Sequence, residues 1–352
     1  MPKHKYVGMD VHSATTVIKI QNEAGKTVAT SIVETKSGAI KDFVRGLTGT
    51  VHVTFEEGVH ATWLYEIIKP LVAEVIVCDP RHNKLIQSGN KSDQNDAEKL
   101  AELLRIGSLK PVYHGDCGTR ELREAVRAYN VLTRDCLRVM NRIKAMFRGR
   151  GIDCRGTQVY RAVHREHWLD CLGHPAATAR LELLYQQLDG VSQLRETARR
   201  EMLRQVRSHR AYKVLKQVKT LGPVRIAQII GVVRSPFRFR TKRQFWPYCG
   251  LAVQTASSAD YEMVNGKVHR RAKRAVTRGL NHNYNRELKN VFKAAALLGT
   301  VTEPFKQYYD GLRATGMKPE MARLTLARKI AAITLAVWKK GEGFDASKVI
   351  QG

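Results

Sequence analysis

Apolar and polar positions alternate with two different periods along this chain, and the change of period divides it. Up to about residue 110, short apolar runs alternate with segments of helical spacing. Lys5–Met9 reads as a short strand, and Thr15–Gln21 pairs with Thr27–Glu34 as a hairpin around Glu23-Ala24-Gly25. Ser37–Leu47 places Ile40, Phe43, Val44 and Leu47 on one helical face, with Ser37 as the candidate N-cap. Val51–Phe55 is the next strand. Ala61–Val72 follows as a helix broken near Pro70, then Glu74–Cys78 as a buried strand stopped by Asp79-Pro80. Asp93–Ile106 predicts an amphipathic helix with Ala97, Leu100, Ala101 and Leu104 in register, ended by Gly107. This order predicts an α/β domain, a sheet with helices on its faces.

Beyond residue 110 the helical period dominates. Residues 118–150 predict a long basic helix with Leu122, Val126, Tyr129, Leu132, Cys136, Leu137, Met140, Ile143 and Met146 as its apolar seam. A second helical block, about Ala176 to Val218, carries Leu181, Leu184, Leu188, Val191, Leu194, Met202, Val206 and Leu215. Flanking Gly151–His174, the two pair either as an antiparallel coiled coil or as part of a helical bundle. Leu221-Gly222-Pro223-Val224 then punctuates two shorter helices, Lys213–Lys219 and Val224–Gly231, in a turn suited to holding a phosphate. Thr241–Gly250, a polar stretch Gln254–Gly266, a basic helix His269–Arg278 and a tail helix Lys318–Lys340 complete the pattern. The division expected is 1–110, an α/β domain; 111–218, a helical linker; and 219–352, a mainly α domain.

Charge sharpens this division. Of the 352 residues, 60 are Lys or Arg and 32 Asp or Glu, a formal net charge of +28. Residues 1–110 hold 14 basic and 13 acidic side chains; the remainder holds 46 and 19. A near-neutral domain joined to a strongly basic one suggests that one part holds a cation among acids while the other grips a polyanion. The six cysteines form no C-x-x-C pair and no zinc-finger spacing with histidine, which argues against structural zinc. No signal-peptide pattern opens the chain, so reduced cysteines in the cytosol are expected. The apolar stretch Ile330–Trp338 is too short to span a bilayer.

Candidate chemistry lies first in four carboxylates: Asp10, Glu56, Asp93 and Asp96. Asp10 and Glu56 each follow an apolar run, and Asp93 and Asp96, three apart, share a helix face. Carboxylates converging in this way suit divalent metal, magnesium above all, which bridges them to phosphate oxygens. Glu57 competes with Glu56, but strand alternation turns it to the opposite face. Taken singly, Asp93 or Asp96 would merely favour the positive end of its helix. A second candidate is the pair Ser257-Ser258, close to the basic residues Lys267, Arg270, Arg271, Lys273 and Arg274, where a hydroxyl could attack phosphorus. A third is the run Arg234–Arg240, whose interleaved Phe and Arg suit stacking on single-stranded bases.

Tyr6-Val7-Gly8-Met9-Asp10, Val53-Thr54-Phe55-Glu56 and Lys91-Ser92-Asp93-Gln94-Asn95-Asp96-Ala97 occur in an order that resembles the DEDD transposases of the insertion-sequence 110/1111 family. Gln244-Phe245 through Gly250-Leu251, followed by the serine pair, extends the resemblance over nearly the whole chain. It implies a RuvC-like, RNase H-like α/β domain with Asp10, Glu56, Asp93 and Asp96 binding Mg2+, a coiled-coil linker, and a C-terminal transposase domain whose nucleophile is Ser258. Ala259 stands where the family's Ser-Ser-Gly has glycine, so Ser257 and Ser258 both remain candidates. Val253, Val224 and Ala272 also depart from the family pattern. The resemblance further implies donor and target DNA as substrates, a structured non-coding guide RNA, a homo-oligomer (dimer or tetramer), and a place in the bacterial cytoplasm at the nucleoid. Two other readings stay open: a metal-dependent junction nuclease that uses water and no serine, and a non-catalytic basic RNA/DNA-binding protein.

Overall fold

The computed structural model describes residues 3–80, 92–115, 118–256, 261–270 and 276–350. They form two compact units, Met1–Asp116 and Cys117–Gly352. The pair Ser257-Ser258 and the residues from Arg271 to Ala275 lie outside the described residues.

The first unit is built on strands β1 (His4–Val11), β2 (Thr15–Gln21), β3 (Thr27–Glu34), β4 (Thr50–Glu56) and β5 (Glu74–Cys78), in the order β3-β2-β1-β4-β5. The β1–β2 and β2–β3 neighbours are antiparallel, and β4 and β5 continue the sheet parallel to β1. This mixed five-stranded order with flanking helices is the RNase H-like arrangement the sequence implied. Alternation assigns the two faces. Met9, Val53 and Phe55 are wholly buried with Ile40 and Val44 of α1 (Ser37–Arg45) and Leu64 and Ile68 of α2 (Ala61–Ile68). The opposite face is covered by α3 (Asp93–Arg105), whose Leu100 and Leu103 meet Cys78.

Local differences from the sequence reading have plain causes. Asp10 lies within β1 rather than at its end, because the tight connection to β2 extends pairing to Val11. Ser37 begins α1 itself; Lys36 takes the cap position and makes no side-chain cap bond. Pro70 converts the end of the predicted second helix into a single 3-10 turn, Lys69–Leu71.

The second unit is mainly helical. Its longest members are α4 (Arg120–Arg148) and α6 (Pro175–Ser208), with the short α5 (Arg165–Asp170) between them. Leu122 and Val126, early in α4, share a core with Met202, Leu203 and Val206, late in α6. Ile143, Met146 and Phe147 share another with Ala177, Leu181 and Tyr185. The two helices are therefore antiparallel. The seam is not continuous: Leu137 and Leu194, read as seam positions, are 52% and 58% exposed. The remaining helices are α7 (Arg210–Leu215), α8 (Pro223–Val233), α9 (Lys242–Tyr248), α10 (Arg286–Gly299), α11 (Phe305–Ala314), α12 (Pro319–Lys340) and α13 (Ser347–Ile350). Most of them pack around the core that holds Leu122 and Val126.

The described ends of the predicted basic helix His269–Arg278 are strands, its middle lying outside the described residues. Strands β7 (Tyr261–Val264) and β8 (Lys267–Arg270) form a hairpin, and β9 (Val276–Leu280) pairs with β6 (Val253–Ala256). Asn265 and Gly266 both take positive φ, 50° and 73°, as a two-residue hairpin turn of this hand requires. That turn outweighs the weak helical pattern of the following basic residues.

Candidate active site

Asp10, Glu56 and the start of α3 are brought to one face of the sheet by backbone register. The parallel pairing of β1 with β4 ends at Met9↔Phe55, and Asp10 and Glu56 each stand one residue further on. Since Met9 and Phe55 point to the α1/α2 core, Asp10 and Glu56 point to the α3 side. Cys78, in register with Glu56, touches α3 and confirms this direction. Glu57 is engaged elsewhere: its amide donates to the Cys78 carbonyl at 2.8 Å, and its carboxylate lies 2.5 Å from His114 Nε2.

Gly8 sets how closely α3 approaches. A Cβ there would lie 2.1 Å from the Ala97 carbonyl oxygen and 2.5 Å from the Ala101 amide nitrogen, so only a bare Cα fits beneath the helix. At the other end of α3, Arg105 reaches the Glu23 carbonyl in the β2–β3 turn, and α3 thus runs antiparallel to β1. One helical turn back from Ala97 is Asp93; two residues forward from Gly8 is Asp10. Each step is about 6 Å, so the two carboxylates converge. Ser92 supplies the cap, its Oγ accepting from the Asn95 amide at 3.2 Å, which leaves Asp93 and Asp96 free of that task.

His12 joins them. The β1–β2 connection folds back so that the His12 amide donates to the Thr15 carbonyl, while Thr35 Oγ1 donates to the His12 carbonyl at 2.8 Å. The imidazole Nε2 then lies 3.1 Å from Asp10 Oδ2 and 3.6 Å from Asp93 Oδ2. Asp10, His12 and Asp93 each offer one ligand atom, all within 4.8 Å of one another. The sequence reading passed over His12. The available signal was its place two residues after Asp10 in a short strand connection.

The electrostatics fit a divalent cation. Burial pushes the Asp10 carboxyl above the usual carboxylate range, His12 draws it down, and the Asp93 and Asp96 charges push it up further. Asp96 Oδ1 is buried with no hydrogen-bond partner among the described residues. A cation between these groups would relieve the repulsion and satisfy the orphaned oxygen.

Two family models match the chain. Residues 7–150 match that of the IS110 DEDD transposases, and residues 212–310 that of transposases of the IS116/IS110/IS902 family. Together these segments span more than half of the sequence. The chain belongs to the IS110 family of transposases. No curated protein matches it. An IS110-family transposase is a DNA-processing enzyme, and the DEDD designation points to a divalent metal held by acids. Asp10, His12 and Asp93 lie inside the first matched segment, as do Glu56 and Asp96. Among the described residues, no helix is long and apolar enough to cross a membrane.

Proposed function

We propose that this IS110-family transposase is an RNA-guided recombinase that cleaves and rejoins donor and target DNA. The observation that carries this reading is the convergence of Asp10 and Asp93, with Glu56 beside Asp10 in register and Asp96 one turn along. Asp10, Glu56, Asp93 and Asp96 would hold magnesium, which when bound supplies positive charge to a transferring phosphate. His12 keeps the Asp10 carboxylate oriented toward Asp93. Ser258 is the nucleophile in this reading, with Ser257 as its alternative. The serine Oγ attacks phosphorus, the bond from phosphorus to the leaving sugar oxygen breaks, and that oxygen takes up a proton. Attack by the incoming strand's hydroxyl on the phosphoserine ester then releases the serine and reseals the DNA. Residues 1–110 act as the metal-binding catalytic domain, 111–218 as linker and 219–352 as the serine-bearing domain of a homo-oligomer. The excess of basic residues beyond 110 supports a guide RNA and DNA as the polyanions gripped there.

Covalent trapping tests this. Protein, candidate guide RNA and labelled donor and target DNA are mixed with magnesium and run on a denaturing gel. A protein–DNA adduct is expected from wild type and from Ser257→Ala, and no adduct from Ser258→Ala or Asp10→Ala. An adduct lost only in Ser257→Ala moves the nucleophile by one residue. Cleaved DNA without an adduct in any lane would replace this reading with a water-using nuclease.

A further inference from the structure

The run Arg234–Arg240, which suggested base stacking, is divided by the fold, with Phe237 left 68% exposed. Phe239 is buried in the core. Arg238 lies over the rings of Phe239 and Tyr248 and donates to the Val232 and Val233 carbonyls, closing the end of α8. These two residues serve packing. Arg234 is different. It sits at φ 64° and ψ −56°, with the Ser235 amide donating to the Val233 carbonyl at 2.7 Å, which makes it the centre of a positive-φ γ-turn. This turn is rare and strained for an L-residue, and glycine adopts it more easily. Strain retained at a side-chain-bearing residue points to a use for that side chain.

Arg234 lines a cleft of about 490 Å³. The facing wall is one side of α4, where Arg123, Arg127 and Arg134 recur at helical spacing. Arg123 and Arg127 are one turn, about 6 Å, apart, and the row extends about 16 Å along the helix. Gly231 lets α8 cross α4 closely, since a Cβ there would lie 3.0 Å from Val126 Cγ2. Arg127 pairs with Glu124 at 2.9 Å, and Arg134 donates to the Asn130 carbonyl. Four guanidinium groups line the cleft with a single carboxylate, Glu287. A row of this length suits successive phosphates along a strand rather than one small anion.

We propose that this cleft binds the phosphodiester backbone of a nucleic-acid strand, and that Arg234 is kept in its strained turn to contact a phosphate. The ligand class rests on the reading of the protein as a nucleic-acid enzyme, but not on the metal or serine chemistry. The test uses the full chain and three labelled probes: single-stranded RNA, single-stranded DNA and duplex DNA. Anisotropy titrations across a potassium chloride series are run beside thermal unfolding for wild type, Arg234→Gly and Arg127→Gln. Arg234→Gly should melt within about 2 °C of wild type, the relaxed turn offsetting the contacts of the lost guanidinium. It should bind at least one probe about tenfold more weakly, with a log-affinity against log-salt slope shallower by about one. Arg127→Gln, exposed on α4, should weaken binding to the same probe at unchanged melting temperature. The probe affected identifies the strand as RNA or DNA. Unchanged affinity for all three probes in both variants overturns the proposal, even if covalent adduct forms normally. Affinity lost as proposed, with no adduct in any lane, would sink the recombinase reading and leave this cleft standing.

Discussion

The imidazole of His12 is held between two carboxylates by a strand connection only three residues long, and this makes it a potential nitrogen donor in an otherwise all-oxygen site. Nitrogen ligands favour Mn2+ over Mg2+, whose preference is for oxygen. His12→Ala should therefore weaken Mn2+ binding by about tenfold, read by calorimetry on the unreacted protein, with a smaller loss for Mg2+. Equal losses for both ions would show that His12 only orients Asp10. Asp10 was legible in the sequence because it follows a clear apolar run, and Asp93 because it opens an amphipathic helix. His12 was not, since nothing in a period-two pattern reports how a short connection folds back over its own strand.

The placement of α3 depends on one missing side chain. Gly8→Ala would press a methyl group into the Ala97 carbonyl and the Ala101 amide, both backbone atoms unable to rotate away. The helix must then lift from β1, carrying Asp93 away from Asp10. We expect a loss of about 2–3 kcal/mol in unfolding free energy. The shift in melting temperature on adding Mn2+ should shrink as well. A variant of normal stability and normal metal response would refute this account of the helix position. Elements with strong alternation or long helical seams were readable: the β2–β3 hairpin matches residue for residue, and α3, α4 and α12 begin and end within a few residues of expectation. His269 and Arg270 are strand rather than helix because the Asn265-Gly266 turn folds Lys267–Arg270 back onto Tyr261–Val264, which helical spacing of basic residues does not report. Leu137 and Leu194 were misplaced for another reason: apolar spacing marks a possible seam but not how far two helices stay in contact.

Over the whole molecule, a carboxylate's acidity follows its nearest partner, and even within the first unit Arg105 holds Glu102 down. In the near-neutral first unit, acids crowd together and Asp10 is pushed up. In the basic second unit, arginines hold carboxylates down: Arg165 grips Asp189 with two bonds of 2.6 Å, and Arg204 draws Glu201 down to about 2. For Asp189 the sign is clear. Its folded value lies below its unfolded one, so the unfolded chain binds more protons as pH falls. The stabilisation is fully present above the ordinary aspartate range, near pH 4, and is lost as pH falls through the folded value. Because the Asp189 side chain is 59% exposed, the contribution is at most about 1 kcal/mol. Asp189→Asn should lower the melting temperature at pH 6, and the difference from wild type should close as pH falls below the ordinary aspartate range. A difference independent of pH would assign the effect to packing of Arg165 on Tyr185 instead.

The paired helices α4 and α6 are glued at both ends but not between. On α4 the buried positions between Val126 and Val139 are Asn130 and Cys136, and on α6 none is buried between Leu188 and Met202. Asn130 is tied to Gln228 of α8, and Cys136 Sγ lies 3.8 Å from Ser192 Oγ. At 29 residues, α4 is about 43 Å long. Such an arm resembles a tuning fork clamped at base and tip, with a compliant waist. Its distal end, closed by Val159, Leu172 and Tyr185, has an apolar core of its own. Bending strain applied at the tip would meet the compliant waist at Cys136 before reaching the arginine cleft, whose row ends at Arg134.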